Sequence, residues 1–261
     1  MNGEKKLDYK ELDVKIPEES KNYEVMSEKA LNKINKMVQR KFDSDDHSII
    51  LDTNILGTFP LDNINKLAAP LIEAWAANIF KEVVEIENNE FSLINVEVGT
   101  KRTDLADIIL QFKFNDTDYA TSNIDVKSTT DTIKKSGKSP NITSFAKIRS
   151  AYLEDPDFMF IILSVRYHPY SETNLETGFA KGVIDLSDFH SYDFKYLSEN
   201  DFTINPALGT GQVQIKDIHY INIEKRSTWK LIRILDDKYI HSSRRTFDDW
   251  KKEAQKNKWI K

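Results

Sequence analysis

The sequence predicts an α/β fold in which a mixed central β-sheet is flanked by helices. Three observations carry this. Helical periodicity dominates the two ends of the chain, short strand-like runs fill its middle, and one helix-like segment separates the third of those runs from the fourth. A chain of 261 residues, 39% of them hydrophobic, is long enough to bury a sizeable core. No internal repeat, low-complexity tract or Pro/Gly-rich linker divides it.

From Asn22 to Phe42, "NYEVMSEKALNKINKMVQRKF" places apolar residues near helical spacing among charged ones, as a solvent-facing helix requires. A second helix is expected over Asp62 to Val84, with Asp62 as N-cap and Leu67, Leu71, Trp75, Ile79 and Val83 as its apolar stripe. Pro70 is expected to kink it or delay its start. Five strands follow: "SLINVEV", "LADIILQFKF", "YATSNIDVKS", "FMFIILSVRY" and "FAKGVIDL", set apart by polar turns such as "NDTD". "NITSFAKIRSAYLE" reads as a crossover helix between the third and fourth. "STWKLIRILDDKYI" and "RTFDDWKKEAQKNKW" read as two C-terminal helices. Residues 1–60 form an expected N-terminal helical region, a candidate for dimerisation or DNA contact, and residues 61–261 the main domain.

Composition excludes several chemistries. Without cysteine there are no disulfides, thiolate zinc sites or cysteine nucleophiles, and an intracellular, cytoplasmic setting is the simpler expectation. The longest apolar run, Phe158 to Leu163, is too short to span a bilayer, so no membrane partner is expected. His47, His168, His190, His219 and His241 are dispersed, and neither a phosphate-binding GxxxxGK[ST] nor a GxSxG elbow occurs. The formal net charge of -5 argues against an overall basic coat, so any nucleic-acid surface must be local.

The tripeptide Asp-Val-Lys occurs twice, at Asp13 to Lys15 and at Asp125 to Lys127. The first copy lies in a charge-dense stretch before Pro17 and reads as solvated surface. The second ends a strand, and a turn separates it from another apolar strand that carries Asp107. Residues two apart on a strand share a face, so Asp125 and Lys127 point one way and Val126 the other. Asp107 joins that face if the hairpin centres near Asp116 or Thr117, whereas a slip of one residue buries it. Two carboxylates and a lysine on one face suit a magnesium ion, whose remaining positions take water and phosphate oxygen. An ion pair of Lys127 with Asp107 or Asp125 on a solvated sheet is the plainer alternative.

With its acidic strand, turn and "IDVKSTT", the hairpin resembles the PD-(D/E)xK nuclease motif, and specifically type II restriction endonucleases of the EcoRV/HincII-like kind. Ala106 stands where the motif has proline, and Asp104 is a rival for the first acidic position. The resemblance, over about residues 65 to 255, implies a restriction-endonuclease-like fold and site-specific cleavage of double-stranded DNA to 5′-phosphate and 3′-hydroxyl ends. Catalysis falls to Asp107, Asp125, Lys127 and Glu73 of "PLIEAWAANIF", and Mg²⁺ binding to Asp107, Asp125 and Val126. A homodimer on a palindromic site and a cognate DNA methyltransferase partner are also implied. "PNITSFAKIRSAY" and "ALGTGQVQIKDIHY" are similar to DNA-contacting segments of these enzymes. They make Asn141, Thr143, Ser144, Lys147, Gly209, Thr210, Gly211, Gln212 and Gln214 candidates. Lys134, Lys135 and Lys138 join them from a basic run, Lys127 to Arg149, that contains a single acid, Asp131. A second basic set comprises Lys225, Arg226, Lys230, Arg233, Arg244 and Arg245. A repair or nicking nuclease of the same fold, and a noncatalytic DNA-binding protein on that scaffold, are the alternatives.

Overall fold

A computed structural model describes residues 9, 11–58, 61, 63–99, 104–130, 139–205, 211–243 and 245–260. Two compact units interleave along the chain: Val25–Lys138 with Phe160–Asp193, and Met1–Glu24 with Ser139–Met159 and Phe194–Lys261.

The first of these units is built on a six-stranded sheet. Helix α1 (Tyr23–Asp43) precedes β1 (Ser48–Leu56), and α2 (Asn65–Val84) leads into β2 (Leu93–Val98), β3 (Ile108–Lys113) and β4 (Tyr119–Thr130). The long strands β6 (Met159–Thr173) and β7 (Phe179–Asp193) complete it in the order β1-β7-β6-β4-β3-β2. The five strands expected in this part of the sequence all form. Strand β1 falls inside the stretch expected to be helical, and its alternating Ile49, Leu51 and Thr53 lie against β7. Between β3 and β4, Ile108, Leu110, Phe112, Ala120, Ser122 and Ile124 are buried, while the residues between them are less enclosed.

Helix α2 corrects the expected stripe. Its buried residues are Ala68, Ile72, Ala76, Ala77, Ile79, Phe80 and Val83, and Leu67 is 55% exposed. A helix advances about 100° per residue, so a strict spacing of four drifts about 40° at each step. Over Leu67 to Val83 the stripe therefore winds round the helix, and only Ile79 and Val83 reach the core. Pro70 lies inside the helix, which runs through it from Asn65 to Val84. Asp62, the expected N-cap, lies outside the described residues, and Ile64 occupies the cap position without a side-chain hydrogen bond.

The second unit holds a three-stranded sheet ordered β5-β9-β8, made of β5 (Asn141–Ser144), β8 (Phe202–Asn205) and β9 (Gln212–Ile215). With it are α3 (Phe145–Glu154), α4 (Thr228–His241) and α5 (Phe247–Lys256). The expected crossover helix starts four residues later than read. Ser144 is extended and caps α3 by accepting from the Lys147 amide, so Asn141 to Ser144 pair as strand instead. Ser227 caps α4, and a capping box of Thr246 and Asp249 opens α5, both helices expected from the sequence. The core here includes a buried ion pair in which Arg149 Nε and Nη2 donate to the two oxygens of Asp236 at 2.6 and 3.0 Å. Trp250 Nε1 adds a third hydrogen bond to Asp236 at 2.8 Å, and the Trp259 ring lies 4.0 Å from the guanidinium.

Candidate active site

The β3–β4 hairpin sets the site. Its pairs run from Lys113↔Tyr119 to Ile108↔Ile124, so the hairpin centres on Asp116 and its connecting loop has an odd number of residues. That is the register in which Asp107, one residue before β3, stands opposite Asp125. The Asp107 amide continues the ladder by donating to the Ile124 carbonyl at 2.8 Å. Its carboxylate Oδ2 accepts from the Val126 amide at 2.7 Å, which ties the first acid to the strand that carries the other two groups. Asp104 stands exposed before the hairpin.

Asp125 is 5% exposed, and its Oδ2 lies 2.7 Å from Lys127 Nζ. The contact is an ion pair and not a well-aimed hydrogen bond, since that buried oxygen has no hydrogen-bond partner. Burial is the main influence on this carboxyl; with the charges of Asp107 and Glu73 it raises the pKa to about 7 against the opposing pull of Lys127. Lys127 also approaches the Val126 carbonyl at 3.4 Å. Glu73 projects from α2, half-buried, with its pKa raised by burial and then by Asp107, and lowered by Lys127. The four expected catalytic residues therefore form one electrostatic cluster.

The cluster fits a hard divalent cation of modest protein ligation. A buried carboxylate oxygen without a hydrogen bond, a second carboxylate held in place by an amide, and the Val126 carbonyl beside them are all oxygen donors of the kind magnesium takes. No group of three or more His, Cys, Asp or Glu side chains among the described residues is arranged as a metal cage. Magnesium typically needs only one or two carboxylates, so the small set matches its habit.

The model of the family "Type II restriction endonuclease HpaI" matches residues 10–258. The chain belongs to that family. It is 46% identical over 255 residues to the type II restriction enzyme HpaI of Haemophilus parainfluenzae, covering 98% of this chain and 100% of that protein. Among solved structures it is similar to the NlaIV restriction endonuclease, with a TM-score of 0.46 and 11% identity over 86% of this chain and 87% of the other. The type II restriction enzyme expected from the hairpin is thus shown by the whole chain. The match also takes in the N-terminal stretch, which the resemblance had left uncovered.

The remaining expected DNA-contacting residues of this restriction endonuclease divide three ways. Lys134, Lys135, Lys138, Gly209 and Thr210 lie outside the described residues, as do Asp131 and Arg244. Asn141, Thr143, Ser144, Gln212 and Gln214 all lie on the three-stranded sheet, and Lys147 is exposed on α3. Gly211 has φ +78°, and its carbonyl oxygen accepts from the Phe145 amide at 3.1 Å. Two members of the basic sets are structural instead: Arg149 is fully buried on Asp236, and Arg226 donates to the Leu197 carbonyl and to Glu224. Lys225 pairs with Glu24. The sequence reading missed β8, whose Phe-Thr-Ile-Asn alternates apolar and polar at strand period and was detectable on that ground. Among the described residues, no helix is long and apolar enough to cross a membrane.

The decoy copy of Asp-Val-Lys lies in the other unit. Asp13 has φ 43°, Val14 bridges to Ile260, and the Lys15 amide donates to the Trp259 carbonyl, so its backbone does not continue a strand.

Proposed function

We propose that this chain is a Mg²⁺-dependent endonuclease that cuts double-stranded DNA at a specific palindromic site, leaving 5′-phosphate and 3′-hydroxyl ends. It acts as a homodimer beside a cognate DNA methyltransferase. The observation that carries the reading is the convergence of Asp107, Asp125 and Lys127 at the end of one hairpin, with Glu73 from α2 inside the same field. Asp107, Asp125 and the Val126 carbonyl would hold the ion, which when bound supplies Lewis-acid polarisation of the phosphate. Asp107 is kept in position by the Val126 amide. Lys127, an ammonium placed against Asp125, is suited to orient the attacking water and to offset charge that builds on the phosphate oxygens. Glu73, coupled by charge to Asp107 and Lys127 and with its pKa raised by burial, is assigned the role of base towards that water. Lys147, exposed on α3, is assigned to phosphate contact and Gln212 to base contact.

Cleavage of plasmid DNA by purified protein, with the ends sequenced, tests this. Asp125→Ala and Lys127→Ala should each reduce the rate by at least about 100-fold while leaving binding to the mapped site within a few fold. Lys15→Ala, in the decoy copy, should cut at the wild-type rate. Near wild-type cleavage by either active-site variant would remove the hairpin from catalysis, and cleavage undiminished by a chelator would remove the metal.

A further inference from the structure

Gly99 directly follows β2 and is exposed. Nothing in its burial calls for a glycine, and neither does its backbone. Among the described residues the glycines with positive φ are Gly178 and Gly211, so the conformation at Gly99 is open to any residue. Glycine at the end of a strand adds chain entropy and packs nothing, which is a cost without a local return.

What the position lacks is room for a side chain. A Cβ built on Gly99 would lie 2.8 Å from the Ala106 carbonyl oxygen and 3.3 Å from that of Asp107, with Asp104 Oδ2 at 3.5 Å. The two nearest atoms are backbone, which cannot swing aside as the end of a flexible side chain can. To restore ordinary van der Waals contact, the first gap must open to about 3.4 Å.

The backbone that would have to yield is the one that carries Asp107. The Asp107 carbonyl accepts from the Gly99 amide at 2.8 Å, the Asp107 amide donates to the Ile124 carbonyl at 2.8 Å, and the carboxylate Oδ2 accepts from the Val126 amide at 2.7 Å. Asp107 is therefore pinned from β4 on one side and from the end of β2 on the other. Ala106 before it has no ring to fix the chain, so these bonds hold it in place.

We infer that Gly99 is a positioning residue for Asp107: its missing side chain lets the Ala106–Asp107 backbone close onto the end of β2, and that closure sets where the first carboxylate stands. The inference rests on the proposed Mg²⁺ site at Asp107 and Asp125. Magnesium demands near-ideal octahedral geometry with ligands at about 2.0 to 2.1 Å, so a displacement of several tenths of an ångström in one carboxylate weakens the site.

Gly99→Ala adds one methyl group and keeps the amide donor, so it changes the close approach alone. Gly178→Ala is the reference. Gly178 lies in the same unit just before β7, with φ +72° and nothing within 4 Å of its Cβ position, so a side chain there strains the chain without crowding a neighbour. Full-length wild type, both variants and Asp107→Ala are compared by circular dichroism and urea unfolding, and by plasmid cleavage over a series of Mg²⁺ concentrations. Mn²⁺ binding to the DNA-free proteins is read from the electron paramagnetic resonance of free Mn²⁺. For Gly99→Ala the expected result is a folded chain that needs about 10- to 100-fold more Mg²⁺ for half-maximal cleavage, with a parallel rise in the Mn²⁺ dissociation constant. Gly178→Ala should lose stability and keep the wild-type metal response. An unchanged metal response in Gly99→Ala, an equal shift in Gly178→Ala, or a Gly99→Ala chain that does not fold overturns the inference; in the last case the glycine serves the fold and not Asp107. Wild-type cleavage by Asp107→Ala sinks the proposed site and this inference with it. Loss of cleavage in Asp107→Ala beside a wild-type metal response in Gly99→Ala sinks this inference alone.

Discussion

Glu19 and Lys195 show how a single pair carries pH dependence. Lys195 has a fully buried side chain, hydrogen-bonds the Glu19 carboxylate, and lies 3.2 Å from the centre of the Tyr23 ring. Thr228 gives Glu19 two more hydrogen bonds, from its amide and its hydroxyl, each at 2.8 Å. Burial alone would raise the pKa of Glu19, but the bonds from Lys195 and Thr228 outweigh it and the value falls below the usual 4.5. A depressed folded-state pKa means that the pair stabilises fully above the unfolded value and is lost as pH falls through the folded one. Glu19→Gln should therefore cost stability at neutral pH and flatten the loss of stability below about pH 4.5. Urea unfolding of both proteins at pH 7, 5 and 4 checks this, and parallel pH profiles would remove Glu19 from the acid response.

The same scale decides which site residues were legible in the sequence. Asp107, Asp125 and Lys127 were readable because strand alternation and an odd loop fix their shared face without any distant contact. Glu73 was readable as an acid among apolar neighbours on a helix. Arg149 was not: it looked like one of a run of phosphate-binding cations, and its partner Asp236 lies 87 positions away. Sequence proximity records the run but not the pairing, and a buried guanidinium without its carboxylate would be prohibitively costly.

At the scale of elements, five strand runs were recovered, while nine-residue β1 was lost inside a stretch expected to be helical and the shortest strands were lost for lack of length. Strands β5 and β8 have four residues each, so β5 was absorbed into the following helix and β8 went unseen. Caps were not recovered: Ile64 fills the cap position of α2 where Asp62 was expected, and Ser227 and Thr246, each accepting from the amide three residues on, were not singled out. Glycine position is the other local signal. Gly211 opens β9 with φ +78°, and a Cβ added there would meet Ile204 Cγ2 at 3.0 Å and the Tyr239 ring at 3.3 Å. Both the left-handed backbone and the crowding oppose a side chain. Gly211→Ala should lower stability by about 1 to 3 kcal/mol in equilibrium unfolding. A neutral result would mean that β9 begins in a conformation open to any residue, and the glycine would then have to be explained by approach to a ligand.

For the whole molecule, the decisive count is one proposed active-site hairpin among the described residues of each chain against two strands in duplex DNA. The strands of a duplex are antiparallel and related by two-fold axes, so a two-fold dimer places an equivalent site on each. A monomer would have to release, turn and rebind between cuts, which predicts nicked circles as an intermediate that accumulates. The net charge of -5 bears on the same question. Because total charge repels DNA, binding must come from local cations and matched base edges, and it should fall steeply with salt. On the mapped duplex in low salt, sedimentation should therefore find two 30.3 kDa chains per DNA, and supercoiled plasmid should convert to linear form with little nicked circle. One chain per duplex, or nicked circles that build up before linear product at saturating protein, would leave the palindromic-dimer reading without support, even if the hairpin proves to be the cutting centre.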